Sequence, residues 1–311
     1  MRQADSCEAT GSPLYAAACR RLADAPVVAA IAPDDGWDLP LRVLAALHYL
    51  ALAEGIDPWS DPAGAVAGHA GFVRRFVREQ SVQTNEVQRT WALLPAFLSL
   101  GRAELDLIEL GPSAGLNLVW DRYRFHYQAG SWGAAGTALE LRGEERLPVP
   151  AALLGRDLRI LRRRGIDREP IDVTSEDGAR LLRSFVWADQ DARLERLERA
   201  IEAVRAEPPQ LVAGDYVDVL PGLLSDRVDG ALAVVFQTAS TIYLPAERYA
   251  ALRHALADAE RPLAWISTRR RDEMETQLED GFELELACWP EQPPRVVARM
   301  GYHGQWLEWL G

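Results

Sequence analysis

The residues best suited to chemistry lie in one stretch, Asp106-Leu107-Ile108-Glu109-Leu110-Gly111-Pro112-Ser113-Ala114-Gly115-Leu116-Asn117-Leu118. A short apolar run ends in an acid, and two glycines then lead into Leu116-Asn117-Leu118-Val119-Trp120, the pattern of strand, tight turn and helix. In an α/β sheet such a turn lies at the carboxyl edge of the strand. Glycine there lets the backbone approach a ligand closely, and the helix N-terminus offers free N–H groups. A nucleoside-bearing ligand suits that place, and a plain strand–glycine–helix turn with no ligand is the competing reading of so short a motif.

The glycine spacing narrows the chemistry. Gly111-x-x-x-Gly115 matches neither the dinucleotide fingerprint G-x-G-x-x-G nor the phosphate loop G-x-x-x-x-G-K-[ST], and Ser113 stands where a middle glycine would be. Glu109, just ahead of the turn, would repel a pyrophosphate in a dry pocket. Gly111-Pro112-Ser113-Ala114-Gly115 also imitates the G-x-S-x-G nucleophile elbow. In that reading Ser113 attacks, Asp215 or Asp229 is the acid, and His254 or His303 completes a triad in the right chain order. Glu109 and the lack of a recognisable oxyanion loop fit that reading poorly.

Further candidates are placed by the elements around the turn. The polar stretch Gln80 to Arg89 reads either as a helix cap by Thr84 or Asn85, or as a cover over the glycine turn in which Asn85 or Arg89 meets a ligand carboxylate. His126 sits in the alternating run Asp121 to Tyr127, as a cross-strand residue or a general base. Asp167 and Asp172 lie where a strand ends in an acid and are both candidates for holding a ribose, since one carboxylate accepts from two hydroxyls. Asp215, after the strand Gln210–Gly214, is placed to contact an adenine or to cap a helix. Gln237, Thr238 and Tyr243 occupy the polar loop after the continuous apolar strand Gly230–Phe236, where sites in parallel sheets gather.

These elements divide the chain into a helical segment over residues 1–100 and an α/β domain over 101–311, with an inserted β-hairpin region at 123–164. Residues 1–11 read as a frayed polar start, and Ser12-Pro13 as the cap of the first helix. The stretches 282–287 and 295–300 read as a closing antiparallel pair. The formal net charge of −12 and pI near 5.0 argue against a nonspecific nucleic-acid binder and for a small-molecule or protein substrate. The absence of lysine excludes Schiff-base chemistry and a phosphate-loop lysine. Three cysteines spread along the chain form neither a disulfide framework nor a metal cluster, and with no signal-like or membrane-spanning run the expectation is a cytoplasmic protein without a metal.

The pattern E-x-G-x-x-x-G-x-N over Glu109–Asn117 resembles motif I of class I S-adenosylmethionine-dependent methyltransferases. More of the chain resembles the bacterial family DUF2332. The matching pieces are Gln83-Thr84-Asn85-Glu86-Val87-x-Arg89, Glu109 to Leu118, Arg164-Gly165-Ile166-Asp167-x-x-Pro170-Ile171-Asp172, Phe185-Val186-Trp187 with Arg193-x-x-Arg196-Leu197, and Gly214-Asp215. The resemblance implies a Rossmann-like methyltransferase sheet, mostly parallel with an antiparallel C-terminal strand, and S-adenosylmethionine as cofactor. Under it Glu109, Gly111, Gly115 and Asn117 shape the cofactor floor, Asp167 holds the ribose, Asp215 the adenine and Arg89 the carboxylate. Gln237 and Thr238 border the cofactor and, with Tyr243, face a small-molecule methyl acceptor, with His126 as a base. A noncatalytic ligand-binding module on the same fold is the alternative.

Overall fold

A computed structural model describes residues 2–31 and 36–311 of the chain. Close packing separates two units, Met1–Thr84 with Ile171–Glu198, and Asn85–Pro170 with Arg199–Gly311. The helical unit therefore ends before residue 100 and takes in a later segment, because the helix Arg89–Ser99 belongs to the unit that carries the sheet.

In the first unit the start of the chain is a helix, Arg2–Ala9, rather than a frayed end, because Ala4 and Cys7 are fully buried. Ser12 caps the next helix, Pro13–Ala23, by accepting the Tyr15 N–H, and its hydroxyl donates to Asp189 at 2.6 Å. Around Leu39–Glu54, Tyr15 contacts both Trp59 and Trp187, and the His48 ring bonds Val186 O at 2.8 Å. Ser175 caps Glu176–Ser184 through the Gly178 N–H, as Ser-Glu-Asp at a helix start leads one to expect.

The second unit is built on a nine-stranded sheet. Its strands are β1 (Glu104–Leu110), β5 (Glu144–Leu147), β6 (Arg159–Asp167), β7 (Gln210–Ala213), β8 (Leu232–Gln237), β9 (Leu263–Thr268), β10 (Gly281–Trp289), β11 (Gln292–Gly301) and β12 (Trp306–Trp309). Their order is β5-β12-β11-β10-β9-β8-β1-β6-β7. From β7 to β9 all neighbours are parallel, and β10, β11 and β12 follow as antiparallel strands. The closing pair expected from the sequence is thus the centre of a meander, whose outer strand β12 pairs in parallel with β5. The chain runs outward from β1 to β6 and β7, then reverses to β8 and β9 on the other side. That puts a topological switch point, the usual ligand crevice of such sheets, at the carboxyl end of β1.

The expected insertion is a second, three-stranded sheet of β2 (Arg124–Tyr127), β3 (Gly130–Trp132) and β4 (Glu140–Arg142). It ends earlier than residue 164, because Arg159 already pairs with Glu104 on β1. Among the described residues no helix is long and apolar enough to cross a membrane.

β1 is buried along nearly its whole length and still carries two buried acids, Asp106 and Glu109. Asp106, with no exposed surface, accepts from Arg162 Nε (3.3 Å) and Nη2 (2.8 Å), Arg164 Nη2 (2.9 Å) and the Val228 N–H (3.1 Å). Arg164 Nη1 donates in turn to Leu223 O and Asp226 O. A buried pair adds little over an apolar isostere, but losing one partner strands the other charge. Asp106→Ala should therefore cost about 3–5 kcal/mol in urea denaturation. A loss below ~1 kcal/mol would show that the two arginines find solvent without it.

Candidate functional site

Strand alternation sends Ile108 and Leu110 to one face of the sheet, where they pack with Tyr216, Leu220 and Leu252. Glu109 consequently points to the other face, toward the 3-10 helix Leu116–Arg122 and the helix Arg89–Ser99. That side is closed by Phe97, which stacks on Trp120 at 4.7 Å and meets Phe236 edge-on at 5.3 Å. A carboxyl group has been placed where the sheet is otherwise apolar.

Its partners are few. Asn117 Nδ2 donates to Glu109 Oε1 at 3.4 Å, while Oε2 has no hydrogen-bond partner among the described residues. Three more buried polar atoms in the same turn also lack one: Ser113 Oγ, Asn117 Oδ1 and Asn85 Nδ2. Asn85 reaches the turn through its own Oδ1, 3.5 Å from the Ala114 N–H. Each such atom costs ~1–3 kcal/mol if left unsatisfied, so four together are a large uncompensated cost at this end of β1. The set holds two donors, Asn85 Nδ2 and Ser113 Oγ, beside an acceptor, Asn117 Oδ1, and the Glu109 carboxyl oxygen.

Backbone strain concentrates here too. Among the described residues Asn85 (φ 22°), Ser113 (φ 52°) and Ala239 (φ 65°) are the non-glycine positions with positive φ. Asn85 and Ser113 carry unpartnered atoms of the set, and Ala239 closes β8 beside β1. Such conformations persist only where the surroundings over-determine them.

Asp167 ends β6 beside the turn. Its Oδ2 accepts the Ser113 N–H at 2.8 Å and its Oδ1 the Glu169 N–H at 3.0 Å, leaving lone pairs on both oxygens. Asp172, the other ribose candidate, instead accepts from Thr174 and belongs to the helical unit. Arg89 Nε donates to Tyr302 O at 2.8 Å, and its charge acts on Glu109.

The glycines do something other than expected. Gly111 (φ 72°) and Gly115 (φ 75°) need their left-handed backbone, but a Cβ on Gly111 would meet Ser240 Cβ at 2.6 Å, and one on Gly115 would meet Pro209 Cγ at 2.7 Å. Both admit neighbouring side chains close to the turn. Ser240 is held there by its hydroxyl on Leu110 O (2.8 Å) and its N–H on Gln237 Oε1 (2.9 Å).

Gln237 is fully committed, since its amide nitrogen also donates to Ser267 Oγ (2.6 Å) and Thr268 O (2.8 Å). It stitches the tips of β8 and β9 together, with Thr268 Oγ1 accepting the Ala239 N–H and Thr238 buried beside it. Asp215 caps Tyr216–Ser225 through the Val217 N–H and pairs with Arg168 (3.0 Å) and Arg248 (2.9 Å). Burial opposes its charge, but those three donors outweigh it and hold the carboxyl below its ordinary range. Tyr243 is largely exposed on the turn Ser240–Tyr243. His126 lies on β2 of the small sheet, bonded to Ser131 and Glu140. The structure thus gathers Asn85, Arg89, Glu109, Ser113, Asn117 and Asp167, and gives Gln237 and Asp215 structural partners. Ser240 and Thr268 escaped the sequence reading; their only signal was a polar loop after each central strand.

A family model described as "Uncharacterized protein conserved in bacteria (DUF2332)" matches residues 1–309. The chain belongs to this family. No curated protein matches it. Among the described residues no group of three or more His, Cys, Asp or Glu is arranged to hold a metal ion. Among the described residues Ser113 Oγ has no hydrogen-bond partner, and none of them is poised on it as the base a nucleophile elbow requires.

Burial pushes the Glu109 carboxyl up from its ordinary 4.5 to about 8, the nearby Asp167 charge adding to this and Asn117 and Arg89 working against it. The group is then mostly a neutral acid at pH 7, able to donate from one oxygen. Because the folded pKa is the raised one, this protonation stabilises the fold fully below about pH 4.5, and the contribution is lost as pH climbs to about 8. The stability of the wild type relative to Glu109→Gln should therefore fall between those limits by up to roughly 1.4 kcal/mol per pH unit. Denaturant melts of both proteins from pH 5 to 9 measure it; a flat difference would mean that Glu109 ionises in the normal range.

Proposed function

We propose that the protein is an S-adenosylmethionine-dependent methyltransferase acting on a small molecule, with its cofactor at the carboxyl end of β1. The observation that carries this reading is the set of four unpartnered polar atoms beside Asp167 at the switch point of the sheet. Donors and acceptors lie together there, as an amino acid with both its charges requires. Asn85 Nδ2 and Ser113 Oγ suit the carboxylate, helped by the nearby Arg89 charge. Asn117 Oδ1 suits the ammonium, as does the Glu109 carboxylate once that cation displaces its proton, and the remaining lone pairs of Asp167 suit ribose hydroxyls. The cofactor, when bound, supplies an activated methyl group. Transfer from it is an in-line displacement, for which the protein's contribution is chiefly positioning on a rigid edge.

The packing of Ser240 over Gly111 and of Pro209 over Gly115 favours a second reading, a noncatalytic module that keeps the ligand site without the transfer step. Calorimetry with S-adenosylmethionine and S-adenosylhomocysteine tests the cofactor. Binding is expected for the wild type, weakened at least tenfold (about 1.4 kcal/mol) in Asn117→Ala and Asp167→Ala. No binding by folded wild type would sink both readings for this ligand, whereas binding without methyl transfer to a broad acceptor panel would select the second.

A further inference from the structure

The small sheet carries a second cluster of reactive groups. Alternation along β2 buries Phe125, which pairs with Trp132 on β3 and Leu141 on β4. The same alternation turns His126 to the outer face. Ser131 is the direct antiparallel partner of His126 across a tight hairpin, and Glu140 lies one pleat away on β4, paired with Arg124. Ser131 Oγ is 3.1 Å from His126 Nδ1, and His126 Nε2 is 2.9 Å from Glu140 Oε2.

A carboxylate only accepts, so Nε2 carries a ring proton, and in the neutral imidazole Nδ1 is left to accept from the serine hydroxyl. A nucleophile bonded to a base that is itself oriented by a third group is the arrangement that activates a hydroxyl. Arg142, directly opposite His126 on β4 and 3.9 Å from Glu140, places a guanidinium on the same face. The His126 and Glu140 side chains are 30% and 40% exposed, open enough for a substrate to reach.

We propose that Ser131, His126 and Glu140 form an acyl-transfer site for small, unhindered carboxylic esters. Ser131 Oγ bonds to the ester carbonyl carbon as its proton passes to His126 Nδ1. The ester C–O bond breaks, and the leaving alkoxide takes that proton. Water then attacks the acyl-serine, its proton following the same route, which releases the acid and restores Ser131. Glu140 is a positioning residue that holds the imidazole. The site shares no residue with the proposed cofactor site.

A fluorophosphonate probe applied to the full chain, with the labelled peptide located by mass spectrometry, tests this. Labelling is expected on Ser131, at least tenfold slower in His126→Gln and Glu140→Ala, and partly restored in Glu140→Asp. Hydrolysis of p-nitrophenyl acetate should be lost in Ser131→Ala. These are surface positions, so thermal melts should stay close to wild type. Label confined to Ser113, no label on folded protein, or ester hydrolysis undiminished in Ser131→Ala would each overturn the proposal.

Discussion

The central strand β1 is the constraint on which the rest of the sheet-bearing unit depends, because it carries an acid on each of its two buried faces. Asp106 is satisfied from all sides by Arg162, Arg164 and a backbone N–H, so its charge ties β1 to β6. Glu109, three residues on, meets one long bond from Asn117 and a free oxygen. A protein interior tolerates a charge only when it is paired. The first acid obeys by pairing and the second by holding its proton. The difference divides a single strand: one end is closed, and the other is left with polar capacity unused.

The edge around Glu109 is rigid for reasons that lie in its neighbours. Gln237, Ser267 and Thr268 knit the tips of β8 and β9, and that network fixes the Ala239–Ser240 turn over Gly111. Asp167 holds the Ser113 N–H from the opposite side. Positive φ at Ser113 and Ala239 is sustained by these bonds, and a site whose groups are fixed before a ligand arrives loses less freedom on binding. Glycine at 111 and 115 serves this tight packing, since a side chain at either would collide with Ser240 or Pro209.

The insertion shows how a small sheet can present chemistry of its own. Its inner face is spent on Phe125, Trp132 and Leu141, and a period of two leaves the opposite face for His126, Ser131, Glu140 and Arg142. Cross-strand neighbours on one face stand close enough to hydrogen-bond, so register alone assembled the relay.

Local signals in the chain were sufficient for much of the architecture. Apolar runs announced β1 and β8, Ser12-Pro13 announced its helix, and Gly111 and Gly115 announced the turn at the end of β1. Each depends on side chains a few residues apart, which sequence spacing records directly. Family membership was legible for the same reason. What only the tertiary structure decided depends on partners far along the chain: that Glu109 faces an apolar layer and keeps its proton, that Gln237 and Asp215 are occupied by Ser267 and Arg248, and that Ser131, His126 and Glu140 share one face. Burial and hydrogen-bond satisfaction are properties of the whole packed unit, and no local pattern of residue types contains them.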